Sequence, residues 1–291
     1  MVDPRPFLPR IRPRMWGNSQ PMVLHANGFK FREWRGLRKA LFQRVPQGRL
    51  ECPADLEIIT WSTYSRPTTI ERCCEHFKVP LRVLRMPQSD WLPMLKIKMA
   101  WQAALECDKA YMMGLDASDV LLLGSPADIL NRFHHLQPLR LLYCAEMHIH
   151  PRRVRALRPI TLRERRSAKS AREMPFCYLN AGCWIGETSA VRELYGKWWA
   201  AVEAGDLPAP LGNQGPKACS SEQGIIRWFY LKEAGIAIDR RCELFQSTYI
   251  PVNLRGKFKS NINISWPDDA TKQVHCESAG DAGKAGGDEG K

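Results

Sequence analysis

The sequence predicts an α/β fold, a single domain with a mainly parallel central sheet flanked by helices. Three observations point there. Short apolar runs alternate with stretches of helical periodicity across the first half of the chain, the pattern of strand–helix–strand units joined by right-handed crossovers. The third apolar run, 110–115, opens directly onto Asp116-Ala-Ser-Asp119, and parallel sheets gather ligands at the carboxyl ends of their strands. With 291 residues, 44% of them hydrophobic, the chain can bury a sizeable core.

Taken in order, residues 1–20 are rich in Pro and Arg and read as an unfolded basic terminus, and 21–54 as an N-terminal extension. Residues 56–61 form the first predicted strand. A helix follows over 69–77, with Thr and Ser available to cap it. Residues 81–84 are the second strand. Over 92–106, Leu92, Leu95, Met99 and Ala103 recur at spacings of three or four and predict a helix. The third strand is 110–115. Pro126 suits the first turn of a helix over 126–133. Residues 140–144 form a strand that ends at Ala145-Glu146. The next, 176–186, carries polar and small residues in its middle, and a Gly there marks close approach of a ligand or another backbone. Helices are predicted over 189–202 and 222–234. The second opens at Ser220-Ser221-Glu222-Gln223, where free helix amides favour anions. Short strands at 236–239 and 242–245 close the pattern. The folded domain is thus read as 55–276, and 277–291 as a tail too polar to bury a core.

Asp116 and Asp119 are the sharpest chemical signal. Two carboxylates three residues apart on a turn can face one hard cation. Oxygen ligands suit Mg²⁺ or Mn²⁺ and leave positions open for substrate phosphates. The plainer alternative is a solvated loop that caps the helix at Pro126.

Composition narrows the rest. No apolar run of about 18 residues exists, so no transmembrane helix is predicted. The basic N-terminus lacks an apolar signal core, so a cytoplasmic location is expected. The ten cysteines include no C-x-x-C pair; they read as buried thiols in a reducing compartment, with a zinc site disfavoured. The formal charge of +13 is concentrated at 152–172, which holds nine Lys/Arg against one Glu. This run reads as a solvated, mobile loop; the functional alternative is a field that draws an anionic ligand, acceptor or surface. No aromatic interleaves it, so a nucleic-acid partner is not expected. Neither G-x-G-x-x-G after the first strand nor G-x-x-x-x-G-K-[ST] occurs, which disfavours the usual dinucleotide fold and excludes the usual P-loop.

Several segments, in order over about two hundred residues, resemble the glycosyltransferase domain of procollagen lysyl hydroxylases, a GT-A (Rossmann-like) fold. They are Ile59-Thr-Trp-Ser-Thr63, Lys96-Ile-Lys98, Asp116-Ala-Ser-Asp119, Ala145-Glu146, Leu179-Asn-Ala-Gly-Cys-Trp-Ile-Gly186, Ser221-Glu222-Gln223, Asp239-Arg-Arg-Cys-Glu-Leu-Phe-Gln246 and Val274-His275. The resemblance implies a metal-dependent hexosyltransferase that moves a sugar from a UDP-sugar to an acceptor hydroxyl, one on a protein included. It implies Asp116, Asp119 and His275 as ligands to Mn²⁺ (or Mg²⁺). Thr63, Lys96, Asp116, Asp119, Glu146, Asn180 and Gln223 would meet the donor. Glu222 would serve as general base or sugar ligand, with Asn180 beside it. The chain departs from the family at Ser221, which stands for an acid, and after His275, where Cys-Glu-Ser-Ala-Gly replaces Gly-Asn-Gly. His25, in Val23-Leu-His25-Ala-Asn-Gly28, is a second candidate for the third ligand; His275 leads on chain order. Trp91 and Trp184 are candidate sugar platforms, with core positions as the alternative.

Two other classes compete. A metal-dependent phosphoester hydrolase would add His148-Ile-His150 to the two aspartates. A basic nucleic-acid-binding protein would use the 152–172 run without a metal. A relative of the transferases that binds the donor but transfers nothing is a third reading.

Overall fold

The computed structural model describes residues 2–13, 20–27, 31–136, 138–151, 154–170, 176–212, 220–248 and 262–267. Near the N-terminus lie β1 (Arg10–Pro13), β2 (Val23–His25) and α1 (Phe31–Arg44). The predicted alternation follows as β3 (Leu56–Ser62), α2 (Thr69–His76), β4 (Arg82–Arg85), α3 (Leu95–Glu106) and β5 (Tyr111–Leu115). Then come β6 (Val120–Leu122), α4 (Pro126–His135), β7 (Leu141–Glu146), α5 (Arg158–Ser170), β8 (Tyr178–Glu187) and α6 (Thr188–Ala204). The described chain closes with α7 (Glu222–Tyr230), β9 (Ile236–Asp239), β10 (Phe245–Ser247) and β11 (Ile262–Ser265).

The central sheet has six strands in the order β4-β3-β5-β8-β7-β9. Five run the same way; β8 alone is antiparallel to both its neighbours. Side chains alternate across such a sheet, and β5 and β8 divide accordingly. Met113, Leu115, Cys183 and Ile185 join one core with residues of α1, α2 and α4. Met112, Ala181 and Trp184 join a second core with residues of α3, α6 and α7. The predicted fold class therefore stands, a central sheet flanked by helices, with one strand reversed.

Several expectations change. Residues 1–20 are not wholly without structure: β1 pairs antiparallel with β11, and Leu8 is buried. The extension at 21–54 is not separate from the domain, because β2 lies between β6 and β10 in a three-stranded sheet. The basic run is not a loop over its described length, because α5 occupies most of it. The residues of 277–291 lie outside those described. Among the described residues, no helix is long and apolar enough to cross a membrane, and the eight described cysteines are free thiols.

Asp239 builds the turn that delivers β10 to β2. Its Oδ1 accepts from the Glu243 amide at 2.9 Å, and its Oδ2 from Leu244 and Phe245 at 2.7 and 2.8 Å. Burial pushes its carboxyl up to about 6 against the pull of these donors. Asp239→Ala would orphan three amides, a loss on the order of 3 kcal/mol. Urea titration should show the midpoint falling with an unchanged slope; an unmoved midpoint would mean that water satisfies the turn.

Candidate functional site

The Asp116-Ala-Ser-Asp119 turn joins β5 to β6, an element too short for sequence periodicity to reveal. Asp119 therefore leads into a strand, and the cap of α4 is Ser125, whose Oγ accepts from the Asp128 amide at 3.1 Å. The capping alternative for the aspartates is thus overturned. The turn is pinned on two sides: the Asp116 amide donates to Gly182 O at 2.8 Å, and Ile70 N, in the first turn of α2, donates to Ala117 O at 3.1 Å.

Strand β2 brings in the third group. The Ala26 amide donates to Asp119 O at 2.7 Å, and the Thr248 amide to His25 O at 3.0 Å. His25 is thereby clamped between the turn and the end of β10. Its Nε2 lies 3.6 Å from Asp116 Oδ2 and 3.5 Å from Asp119 Oδ2. Among the described residues, this trio is the group able to hold a metal, each offering a ligand atom within 4.8 Å of the others. His25 Nδ1 donates to Asn180 Oδ1 at 3.0 Å, which fixes the tautomer and aims Nε2 at the carboxylates.

The strand β8 is irregular at this place. Tyr143 pairs with Trp184 but Cys144 pairs with Asn180, so Ala181, Gly182 and Cys183 have no partners on β7. Bulges of this kind re-aim residues beside functional sites. The freed amides go to site side chains: Ala181 N donates to Gln223 Oε1 at 3.2 Å and Gly182 N to Asn180 Oδ1 at 2.9 Å. Gly182 must be glycine for close approach. A Cβ there would stand 2.3 Å from His25 Cε1 and 2.6 Å from Asp116 Oδ2.

On the other side of Asp116, Lys96 Nζ donates to Asp116 Oδ1 at 2.6 Å and to Glu222 Oε1 at 2.9 Å. Ser221, not Glu222, caps α7 by accepting from the Gly224 amide. Behind His25, Glu146 accepts from Gln223 Nε2 at 2.6 Å and from Asn27 Nδ2 at 2.9 Å. Asn27 escaped the sequence reading, although it sits in the same His-x-Asn-Gly motif as His25. The electrostatics follow. Burial opposes a charge on His25, yet Asp119 and Asp116 raise it to about 9. Burial also opposes charge on Lys96, and Asp116 and Glu222 outweigh it and raise it. Burial raises Asp116 despite Lys96, whereas His25 holds Asp119 down in spite of burial. Burial pushes Glu146 up to about 7, with Gln223 pulling the other way.

Eight residues singled out from sequence thus meet in one network: His25, Lys96, Asp116, Asp119, Glu146, Asn180, Glu222 and Gln223. Thr63 lies just beyond β3 and donates to Gln88 Oε1 at 2.6 Å. His275 lies outside the described residues. Trp184 is 1% exposed and packs on Tyr195 with ring centroids 5.4 Å apart, so it is core and not a platform. Trp91 lines a cavity of about 430 Å³ together with Lys96, His150, Ser221 and Glu222. Lys98 turns away, over the Trp199 ring at 5.3 Å. His148 and His150 are not in the metal-capable group; the His150 carbonyl instead accepts from Gln223 and Arg227.

No protein-family model matches the chain, and no curated protein matches it. Solved structures align with it, the following two among them. Mouse xyloside xylosyltransferase 1, apo form, is 10% identical over 80% of this chain and 88% of its own, with a TM-score of 0.36. Core-mannan synthase A from Aspergillus fumigatus, in its Mn/GDP form, is 10% identical over 65% of this chain and 73% of its own, with a TM-score of 0.34. The functional reading rests on the site's own geometry.

Proposed function

We propose that this protein is a metal-dependent glycosyltransferase that moves a sugar from a UDP-sugar to an acceptor hydroxyl. The observation that carries it is the convergence of His25, Asp116 and Asp119 on one point, with Lys96 and Glu222 beside them at a cavity. One imidazole and two carboxylates suit Mn²⁺ or Mg²⁺. His25 takes the third place that chain order had given to His275. A bound ion supplies Lewis acidity toward a leaving diphosphate.

The chain's own residues do the rest. Lys96 adds a positive charge where negative charge develops on the leaving group. Glu222, held by Lys96 at one oxygen and facing the cavity, takes the proton of the acceptor hydroxyl. Asn180 orients His25, and Gln223 ties the β8 bulge to Glu146, so both support the site from behind. Thr63 is assigned to the nucleotide end on the resemblance. The hydrolase alternative would need His148 and His150 beside the two aspartates, and the metal-capable group among the described residues holds His25 instead.

Release of UDP from UDP-sugars in the presence of Mn²⁺ tests the reading. Glu222→Gln should lower turnover by about 10²- to 10⁴-fold while leaving Mn²⁺–UDP affinity near that of the wild type; equal turnover would remove Glu222 from catalysis. Gly182→Ala should separate His25 from Asp116 and cost about tenfold or more in Mn²⁺ affinity by calorimetry. Unchanged affinity would mean that the trio does not hold the ion.

A further inference from the structure

The basic run deserves a partner because its charge is sorted by face. In α5 the inward positions Ile160, Glu164 and Ala168 are buried, a helical repeat. Glu164 is the only acid of the run, and it is consumed in an ion pair with Arg227 of α7 that is wholly excluded from solvent. The outward stripe is Arg158, Leu162, Arg165 and Lys169, flanked by Arg163 and Arg166, all exposed. None of these five cations makes an ion pair with a described carboxylate. Leu162, at the centre, is 45% exposed.

We infer that the outer face of α5 is the docking surface for an acidic segment of a polypeptide acceptor. This rests on the transferase reading, since α7 carries Glu222 at its first turn and the Arg227–Glu164 pair fixes α5 to it. The cations supply charge complementarity and steering. Leu162 selects the kind of polyanion. An acidic peptide can offer an apolar side chain to it, whereas a phosphate or sulfate backbone would set charge against it. No exposed aromatic on the stripe is present to stack a base.

The test is fluorescence anisotropy with a short labelled peptide in which Glu and Asp alternate with Ser and Leu, without metal or donor. Wild-type protein should bind it with an affinity that falls with salt. A triple variant, Arg158→Glu, Arg165→Glu and Lys169→Glu, should lose about tenfold or more, and Leu162→Ser a smaller, salt-independent part. All four side chains are exposed, and thermal melts of the variants check the fold. Mn²⁺–UDP binding, measured in parallel, separates the two claims: its absence in the wild type defeats the transferase reading, whereas its retention with no peptide binding defeats the docking surface alone. Equal peptide affinity in wild type and triple variant overturns the proposal. So does displacement of the peptide by heparin or single-stranded RNA at tenfold lower concentration, which would reassign the face to those polymers.

Discussion

Asp116→Ala should abolish Mn²⁺-dependent binding of UDP. Asp116 makes two contacts that a donor site needs: its Oδ2 faces His25 across the metal-capable trio, and its Oδ1 holds Lys96 at 2.6 Å. Removing the carboxylate deletes one ligand and leaves the ammonium group held by Glu222 alone. Loss of residues that merely support a metal ligand costs about 10- to 100-fold in metal affinity, so loss of a ligand should cost roughly a hundredfold or more. Calorimetry with UDP, with and without Mn²⁺, reads this directly. Metal-dependent binding in wild type and none in the variant would establish the donor site and justify a screen of UDP-sugars. No binding by the wild type under any divalent metal would sink the transferase assignment.

The second large effect concerns the frame of the site. Glu164 and Arg227 are both fully buried, and Glu164 also accepts from Tyr230 Oη at 3.1 Å and from the Leu179 amide at 3.4 Å. Arg227 reaches Thr161 Oγ1 at 2.8 Å and the His150 carbonyl at 3.0 Å. These bonds join α5, α7, β8 and the segment after β7. Glu164→Ala leaves a buried guanidinium unpaired, at a cost of about 3–5 kcal/mol. Guanidinium-chloride unfolding should show a correspondingly earlier midpoint. Replacing both partners, Glu164→Met with Arg227→Met, should recover most of the loss, since a packed apolar pair is often no worse than a buried ion pair. If the double variant is as unstable as the single one, the network and not the orphaned charge is what matters.

The sequence by itself determined the acidic turn and the strands and helices on either side of it, though not α1 or α5. Spacings such as Leu92, Leu95, Met99 and Ala103 report a helix because burial of one helical face has a 3.6-residue period. The run before Asp116 reports a buried strand for the analogous reason. The resemblance placed Lys96, Glu146, Asn180, Glu222 and Gln223 in one list, and the fold put them in one network. The tertiary structure decided what periodicity does not encode. β2 and β6 are three residues each, too short to show a period, and their pairing is what carries His25 to Asp116 and Asp119. The bulge in β8 depends on hydrogen bonds that its amides donate to the side-chain oxygens of Gln223, distant in sequence, and Asn180, local to the turn. Glu164 looked like a lone acid in a solvated run, yet its burial depends on Arg227, sixty-three residues away. In each case the deciding term is a contact between remote segments, and composition in a local window carries no record of the partner it will meet.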